Sequence, residues 1–293
     1  MSSERIPPVL ADDGGAPPPP RRYALFGEPI ERSLSPRIHA AFAAQRRIAL
    51  RYELLPASTG TFAERLAAFA AEGGAGANVT APLKALAAAL CERLEPAAQR
   101  SGVANTLTLI PGGGWAGDNT DGAGFIADVC LRLRHDVRGR RVLLLGAGGA
   151  IAGIVPALLD AGAGDLVIAN RHPERAEALA LRIGEPARVH SAYWQDLDEA
   201  GEFDLVVNGT SAGHRGEDIA LPMGLLAPRA MAYDLNYGTA AVGFLAWARA
   251  AGATDVHDGL GMLVDQAAVA FAHWHGVEPD ADAVLASLRV DLP

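Results

Sequence analysis

The stretch "VLLLGAGGAIAGIVPALL", Val142 to Leu159, decides the fold. It is uncharged for long enough to span a bilayer, but its glycines and Pro156 divide it into a short strand, a turn and a helix. Glycines 146, 148 and 149 between strand and helix let the backbone approach a pyrophosphate, whose charge sits at the helix N-terminus. The bland alternative is a tight strand–helix turn that binds nothing. The strand before and the helix after supply the context that a dinucleotide motif requires. Ile151 stands where G-x-G-x-x-G has its third small residue, so close packing of helix on strand is in question there.

The next strand, "LVIAN", ends where the cofactor is selected. An NAD site presents Asp or Glu at that point to accept from the ribose 2′-hydroxyl. Here "ANRHPER" offers Asn170, Arg171 and Arg175 instead. Arginines bind a 2′-phosphate through charge-assisted hydrogen bonds, so NADP is the expected cofactor. The same residues also read as a solvated helix start with Pro173 in its first turn.

Strands and helices alternate on both sides of this unit, which predicts α/β architecture. "RRYALFG", "LRYELLPA", "GANVT" and "ANTLTLI" are the expected N-terminal strands, with helices starting at Pro36 and running through "TFAERLAAFAAEGG" and "PLKALAAAL". "PGGG" is a turn into "WAGDNT". A helix through "FIADVCLRLRH" then leads to the second half, whose strands are "VLLLG", "LVIAN", "ARVHSA", "FDLVVNGT" and "MAYDLNY". The expected division is a disordered leader over 1–20, an α/β domain over 21–120, a Rossmann-type doubly wound domain over 121–257, and a helical segment over 258–293 that packs back on the first domain.

Bulk properties exclude several classes. The chain has 293 residues, half of them hydrophobic, enough for two packed cores. A net charge of -9 argues against a phosphate-backbone binder, so no nucleic-acid partner is expected. The two cysteines, Cys91 and Cys130, form no CxxC framework, which points to a reducing cytoplasm without structural disulfides. The leader "MSSERIPPVLADDGGAPPPPRR" is rich in Pro, Gly and acid and lacks the apolar core of a signal peptide. No membrane partner is expected.

Lys84 is the only lysine of the chain; every other cationic side chain is an arginine. Chance can leave one lysine in an arginine-biased composition. Chemistry offers a second reason, because an ammonium can pass on a proton near neutral pH and a guanidinium cannot. "ERSLSPRIH" is equally open: Ser35 suits a helix N-cap before Pro36, and Ser33 with Ser35 also forms a small carboxylate receptor. "NTDG" around Asp121 reads as an Asx-type turn at the domain switch.

"SLSP", "NVTAPLK", "ANTL", "GDNTDGAGF", "GAGGA", "NRHPER", "NGTSAG", "YDLNYG" and "GLGMLVDQAAVAFAHWHG" follow one another in this order. The set strongly resembles the shikimate dehydrogenase family, from about Tyr23 almost to the C-terminus. The resemblance implies an NADP-dependent, reversible reduction of 3-dehydroshikimate to shikimate in aromatic amino acid biosynthesis, by a monomer or homodimer. It implies a substrate domain built from both chain ends. Ser33, Ser35 and Tyr237 would hold the substrate carboxylate, and Asn78, Thr80, Asn105 and Gln266 its ring hydroxyls. Lys84 and Asp121 would be the catalytic pair, also touching substrate. Gly146, Ala147, Gly148, Gly149 and Ala150 would hold the pyrophosphate, Asn170, Arg171 and Arg175 the 2′-phosphate, Gly259 would contribute backbone near the nicotinamide, and Leu235 would also bind the cofactor.

Departures from the family pattern bear on cofactor affinity: His172 for a threonine, Ala152 for an arginine, and Thr239 and Gly243 where prolines are frequent. A quinate or aminoshikimate dehydrogenase, or a regulator that binds NADP without turnover, are the competing readings. Other chemistry is thin. His273 and His275 at i and i+2 on a helix diverge, so no metal site is expected. His39 reads as a packing residue, and "GTSAG" lacks the helix that a nucleophile elbow needs.

Overall fold

The computed structural model describes residues 19–291; the expected leader lies outside them apart from its last two residues. The first sheet is built from β1 (Arg21–Gly27), β2 (Leu50–Pro56), β3 (Gly74–Val79), β4 (Arg93–Leu94), β5 (Thr106–Leu109) and β6 (Trp115–Asp118), in the order β2-β1-β3-β5-β6-β4. β1 pairs in parallel with β2 and β3, whereas β5 is antiparallel to β3 and β6. The β5–β6 turn uses Gly112, Gly113 and Gly114 at φ of 93°, 105° and 80°, a region that side chains resist. Alternation along β1 turns Ala24 and Phe26 toward α2 (Phe62–Ala71) and α3 (Lys84–Leu90). There Phe26 meets Phe62 and Phe69 edge-on at 5.5 and 5.7 Å. Burying each ring contributes roughly 1.5–3 kcal/mol.

The second sheet is wholly parallel. It contains β7 (Arg141–Leu145), β8 (Asp165–Asn170), β9 (Val189–Tyr193), β10 (Phe203–Asn208), β11 (Leu226–Asp234) and β12 (Asp255–His257), ordered β12-β11-β10-β7-β8-β9. Numbered from its own first strand, that is the doubly wound order 3-2-1-4-5-6, with its switch point between β7 and β10. Both faces are covered: Val142 and Leu144 join one core, Leu143 and Leu145 the other. The chain enters this half through α5 (Asp121–Ile126), which continues as a π-helix, Ala127–Arg132.

Ile151 resolves the question that its size raised. It lies on α6 (Gly149–Asp160), fully buried, and the room comes from Gly209 after β10, where a Cβ would stand 2.6 Å from the isoleucine Cδ1. The small residue required between helix and neighbouring loop is on the loop.

α9 (Leu260–His275) ties the halves together. Leu260, Val264 and Phe271 pack on Leu34, Ile38 and Phe42 of the N-terminal half, joined by Val284 and Leu288 of α10 (Ala281–Asp291). Gly124 on α5 lets α9 close in, since a Cβ there would reach the Gln266 backbone nitrogen at 2.6 Å. Arg132 bonds Asp128 at 2.6 Å and grips Asp265 on α9 at 2.6 and 2.7 Å. Burial raises the Asp265 carboxyl against the pull of that guanidinium. No helix among the described residues is long and apolar enough to cross a membrane.

Several details differ from the sequence reading, among them the unexpected helices Pro96–Ser101 and Val242–Ala250. α1 (Ser35–Arg46) has Leu34 at its N-cap, with no side-chain cap bond; instead Ser33 Oγ accepts the Ser35 N–H at 3.2 Å. The two short strands β4 and β12, of two and three residues, carry too few residues to show an alternation.

Candidate active site

Lys84 and Asp121 are the first residues of α3 and α5, so the pair joins two helix N-termini. Lys84 Nζ donates to Asp121 Oδ2 at 2.5 Å, with the lysine side chain 11% and the aspartate 6% exposed. The carboxylate also benefits from the positive end of its own helix. Asn119 Oδ1 accepts the Asp121 N–H at 3.0 Å, so the Asx turn read in "NTDG" exists and presents the carboxylate that bonds Lys84.

A buried amide network extends from the pair. Asn105 Nδ2 lies 2.9 Å from Asp121 Oδ1 and 3.2 Å from Gln266 Oε1, while its Oδ1 accepts the Thr120 N–H at 2.8 Å. Asn78 Nδ2 donates toward Thr106 Oγ1 at 3.1 Å and the Asn105 carbonyl at 3.2 Å. Tyr52 completes the line by donating its hydroxyl to Asn78 Oδ1 at 2.8 Å. Thr106, Asn119 and Thr120 lie inside the motifs "ANTL" and "NTDG" beside Asn105 and Asp121, without a role of their own in the sequence reading; Tyr52 was missed altogether, since only packing brings it to Asn78.

Ser33 and Ser35 hydroxyls lie 3.1 Å apart at the start of α1. Tyr237 packs on the same cluster as Leu34 and Phe42; burial raises its phenol, partly offset by a hydrogen bond with the Leu34 backbone. Thr80 follows β3, its N–H bonded to the Phe26 carbonyl at 2.8 Å, and its own carbonyl accepts from Leu83 in the turn into α3. His39 is fully buried, stacked on Tyr52 at 4.4 Å, and burial lowers its imidazole to about 3. His273 faces Asp118 at 3.3 Å while His275 packs on Phe271, so the two rings have separate surroundings.

The glycine turn abuts this site. A Cβ on Gly149 would stand 3.1 Å from Lys84 Cβ, and one on Gly153 2.8 Å from Asp121 Oδ2. Gly146 adopts φ 104° beneath the Gly209 carbonyl, and Gly148 faces open space. Ala147, Gly149 and Ala150 are half-buried around it. This is a backbone cradle that side chains would fill, at a helix N-terminus, and it fits a pyrophosphate. Asn170 Nδ2 donates to the His172 carbonyl at 2.9 Å, and Arg171 and Arg175 extend into solvent beyond it. At the other end, Gly259 donates its N–H to the Asn236 carbonyl at 2.8 Å, and a Cβ on it would overlap the Leu235 carbonyl. Asp234 braces these loops by accepting from Asn208 Nδ2 at 2.9 Å and Asn236 Nδ2 at 2.7 Å. Its carboxyl is pushed up to about 6, chiefly by burial.

The chain matches three family models: the shikimate dehydrogenase substrate binding domain over residues 25–107, shikimate / quinate 5-dehydrogenase over 129–215, and the shikimate 5′-dehydrogenase C-terminal domain over 259–289. It is 55% identical over 271 residues to shikimate dehydrogenase (NADP(+)) of Xanthomonas euvesicatoria pv. vesicatoria (strain 85-10), covering 92% of this chain and 95% of that one. Among solved structures, an Ael1 enzyme from Pseudomonas putida superposes with a TM-score of 0.81 at 41% identity, covering 92% of this chain and 98% of that one. Shikimate 5-dehydrogenase of Thermus thermophilus, in complex with NADP(H) and shikimate, superposes with a TM-score of 0.78 at 31% identity, covering 93% and 100%. With the doubly wound sheet and the glycine cradle set against the Lys84–Asp121 pair, the chain belongs to the shikimate dehydrogenase family.

Proposed function

We propose that this protein catalyses the reversible, NADPH-dependent reduction of 3-dehydroshikimate to shikimate, a step toward aromatic amino acids. The observation that carries the reading is the placement of the Lys84–Asp121 pair, 2.5 Å apart, directly against the glycine turn of the dinucleotide fold. The nicotinamide, when bound, supplies or takes the hydride. Everything else is work for the chain's own groups.

A ketone that gains hydride leaves an alkoxide needing a proton. Lys84, as the ammonium, donates it from Nζ, and in reverse the amine takes it from the alcohol. Asp121 orients that nitrogen and accepts from a neighbouring ring hydroxyl. Asn78, Thr80, Asn105 and Gln266 bind the remaining hydroxyls. Asn78 directs its amide N–H groups inward, to Thr106 and the Asn105 carbonyl, which leaves its Oδ1 to accept from substrate beside the Tyr52 hydroxyl. Ser33, Ser35 and Tyr237 offer hydroxyls to the carboxylate. Residues 146–150 hold the pyrophosphate, with Asn170, Arg171 and Arg175 at the 2′-phosphate and Leu235 and Gly259 at the nicotinamide.

In this reading, residues 21–120 with 258–293 form the substrate domain and 121–257 the NADP domain. Two free cysteines support a reducing, cytoplasmic setting for a monomer or homodimer. Initial rates with shikimate and with quinate, each with NADP and NAD, test the assignment. The expected result is the highest kcat/KM for shikimate with NADP. Preference for quinate or NAD, or no NADPH formation with either acid, overturns it.

A further inference from the structure

We propose that Arg215 is a second arm of the 2′-phosphate clasp, facing Arg171, and that Glu217 occupies the clasp as an internal anion that the phosphate displaces. This deepens the NADP reading above and rests on it.

The doubly wound fold puts the ribose 2′-substituent at the end of its second strand, where Arg171 follows β8. Arg215 reaches the same place from a different loop, the single turn Gly213–Arg215 after β10. Its Nε and Nη2 fork onto Glu217, at 2.6 Å to Oε1 and 2.7 Å to Oε2. Arg171 Nη1 lies 3.6 Å from the same Oε2. One carboxylate therefore bridges two guanidinium groups from two loops. The Arg215 loop is pinned in position, because a Cβ on Gly213 would overlap the Ala240 carbonyl. Ser211 Oγ accepts from Arg215 Nη1, which fixes the side chain further.

Fold stability does not account for this arrangement. The side chains are 64%, 41% and 45% exposed for Arg171, Arg215 and Glu217, and ion pairs that open contribute little. Two guanidinium groups and one carboxylate leave a net positive charge facing solvent. A phosphate monoester brings more negative charge than Glu217 and three acceptor oxygens, and both forks match it. Glu217 holds the arginines together before the cofactor arrives, and it competes with the phosphate once it does.

The test separates binding from turnover. The full-length protein is titrated calorimetrically with 2′,5′-ADP and with 5′-AMP, which differ only in the 2′-phosphate. Arg215→Ala is expected to weaken 2′,5′-ADP by about tenfold or more, as loss of a charged hydrogen-bond pair implies, and to leave 5′-AMP as it was. Glu217→Gln is expected to tighten 2′,5′-ADP and to raise the NADP-to-NAD ratio of kcat/KM, the opposite sign. An Arg215→Ala variant that weakens both probes equally, or neither, overturns the proposal, as does a Glu217→Gln variant that weakens 2′,5′-ADP. A wild-type protein that binds both probes alike removes the NADP reading itself, a result distinct from either.

Discussion

Lys84 Nζ and Asp121 Oδ2 lie 2.5 Å apart although they belong to different helices, and Gly149 and Gly153 in the first turns of α6 close over both. The pair is nearly dry, so its geometry is held by the amides of Asn105 and Asn119 and not by solvent. Loss of a positioned proton donor lowers turnover by roughly 10²–10⁴-fold. Lys84→Ala is expected to lose kcat on that scale, with a much smaller change in KM for shikimate. Lys84→Arg keeps the charge and is expected to lose nearly as much, because a guanidinium does not release its proton. Steady-state kinetics decide the matter; near-wild-type kcat in either variant removes Lys84 from proton transfer.

Tyr52 acts through Asn78. Its hydroxyl occupies one lone pair of Asn78 Oδ1 at 2.8 Å and so fixes which way the amide is turned; in the proposed reading that oxygen is the end offered to substrate. Tyr52→Phe removes about 1 kcal/mol of hydrogen bonding and lets the amide turn over. The expected outcome is a several-fold rise in KM for shikimate, with KM for NADP unmoved. A rise confined to NADP would show that Tyr52 does not position the amide.

Local pattern carried most of the architecture. Strand, glycine turn and helix were readable in Val142–Leu159 because each rests on near neighbours in the chain. The Lys84–Asp121 pair was not readable in that way. Spacing says nothing about two residues on separate helices, and only the order of motifs along the chain suggested it. The remaining gaps share one cause. Tyr52 behind Asn78, Arg215 opposite Arg171, and Asp128 bonded to the buried Tyr233 hydroxyl at 2.5 Å are all long-range meetings. They depend on how elements stack, which periodicity does not encode.

Ile151 and Gly209 illustrate the same limit and make a quantitative test. A methyl on half-buried Gly209 would press on Cδ1 and Cγ1 of the fully buried Ile151, both at 2.6 Å. Overpacking of this kind costs about 1–3 kcal/mol. Gly209→Ala is expected to lower stability by that amount in urea unfolding. Ile151→Ala alone is also destabilising, by loss of buried side chain. The double variant should be more stable than the sum of the two losses, by about 0.5 kcal/mol or more. Strict additivity would mean that the two positions do not share space.

Acid weakens the fold through His39, which takes up a proton only when the chain unfolds. Its ring is sealed between Tyr52, Phe42 and Phe271, and burial lowers it to about 3, whereas a free imidazole titrates near 6.5. The unfolded chain therefore takes up a proton below about pH 6.5 that the folded chain refuses, so stability is lost as pH falls through that range. His275, lowered to about 4 mainly by burial, acts in the same sense but is partly exposed. Asp234, pushed up to about 6, acts in the opposite sense: it keeps a proton when folded that it releases when unfolded, so its contribution falls as pH rises from about 4 to 6. Comparing wild type with His39→Phe cancels both. The stability of the variant relative to wild type should rise by about 2 kcal/mol between pH 7.5 and pH 5, at about 1.4 kcal/mol per unit below 6.5. Parallel stability curves over that interval would show that the imidazole is protonated in the fold, and that its aromatic enclosure opens to water.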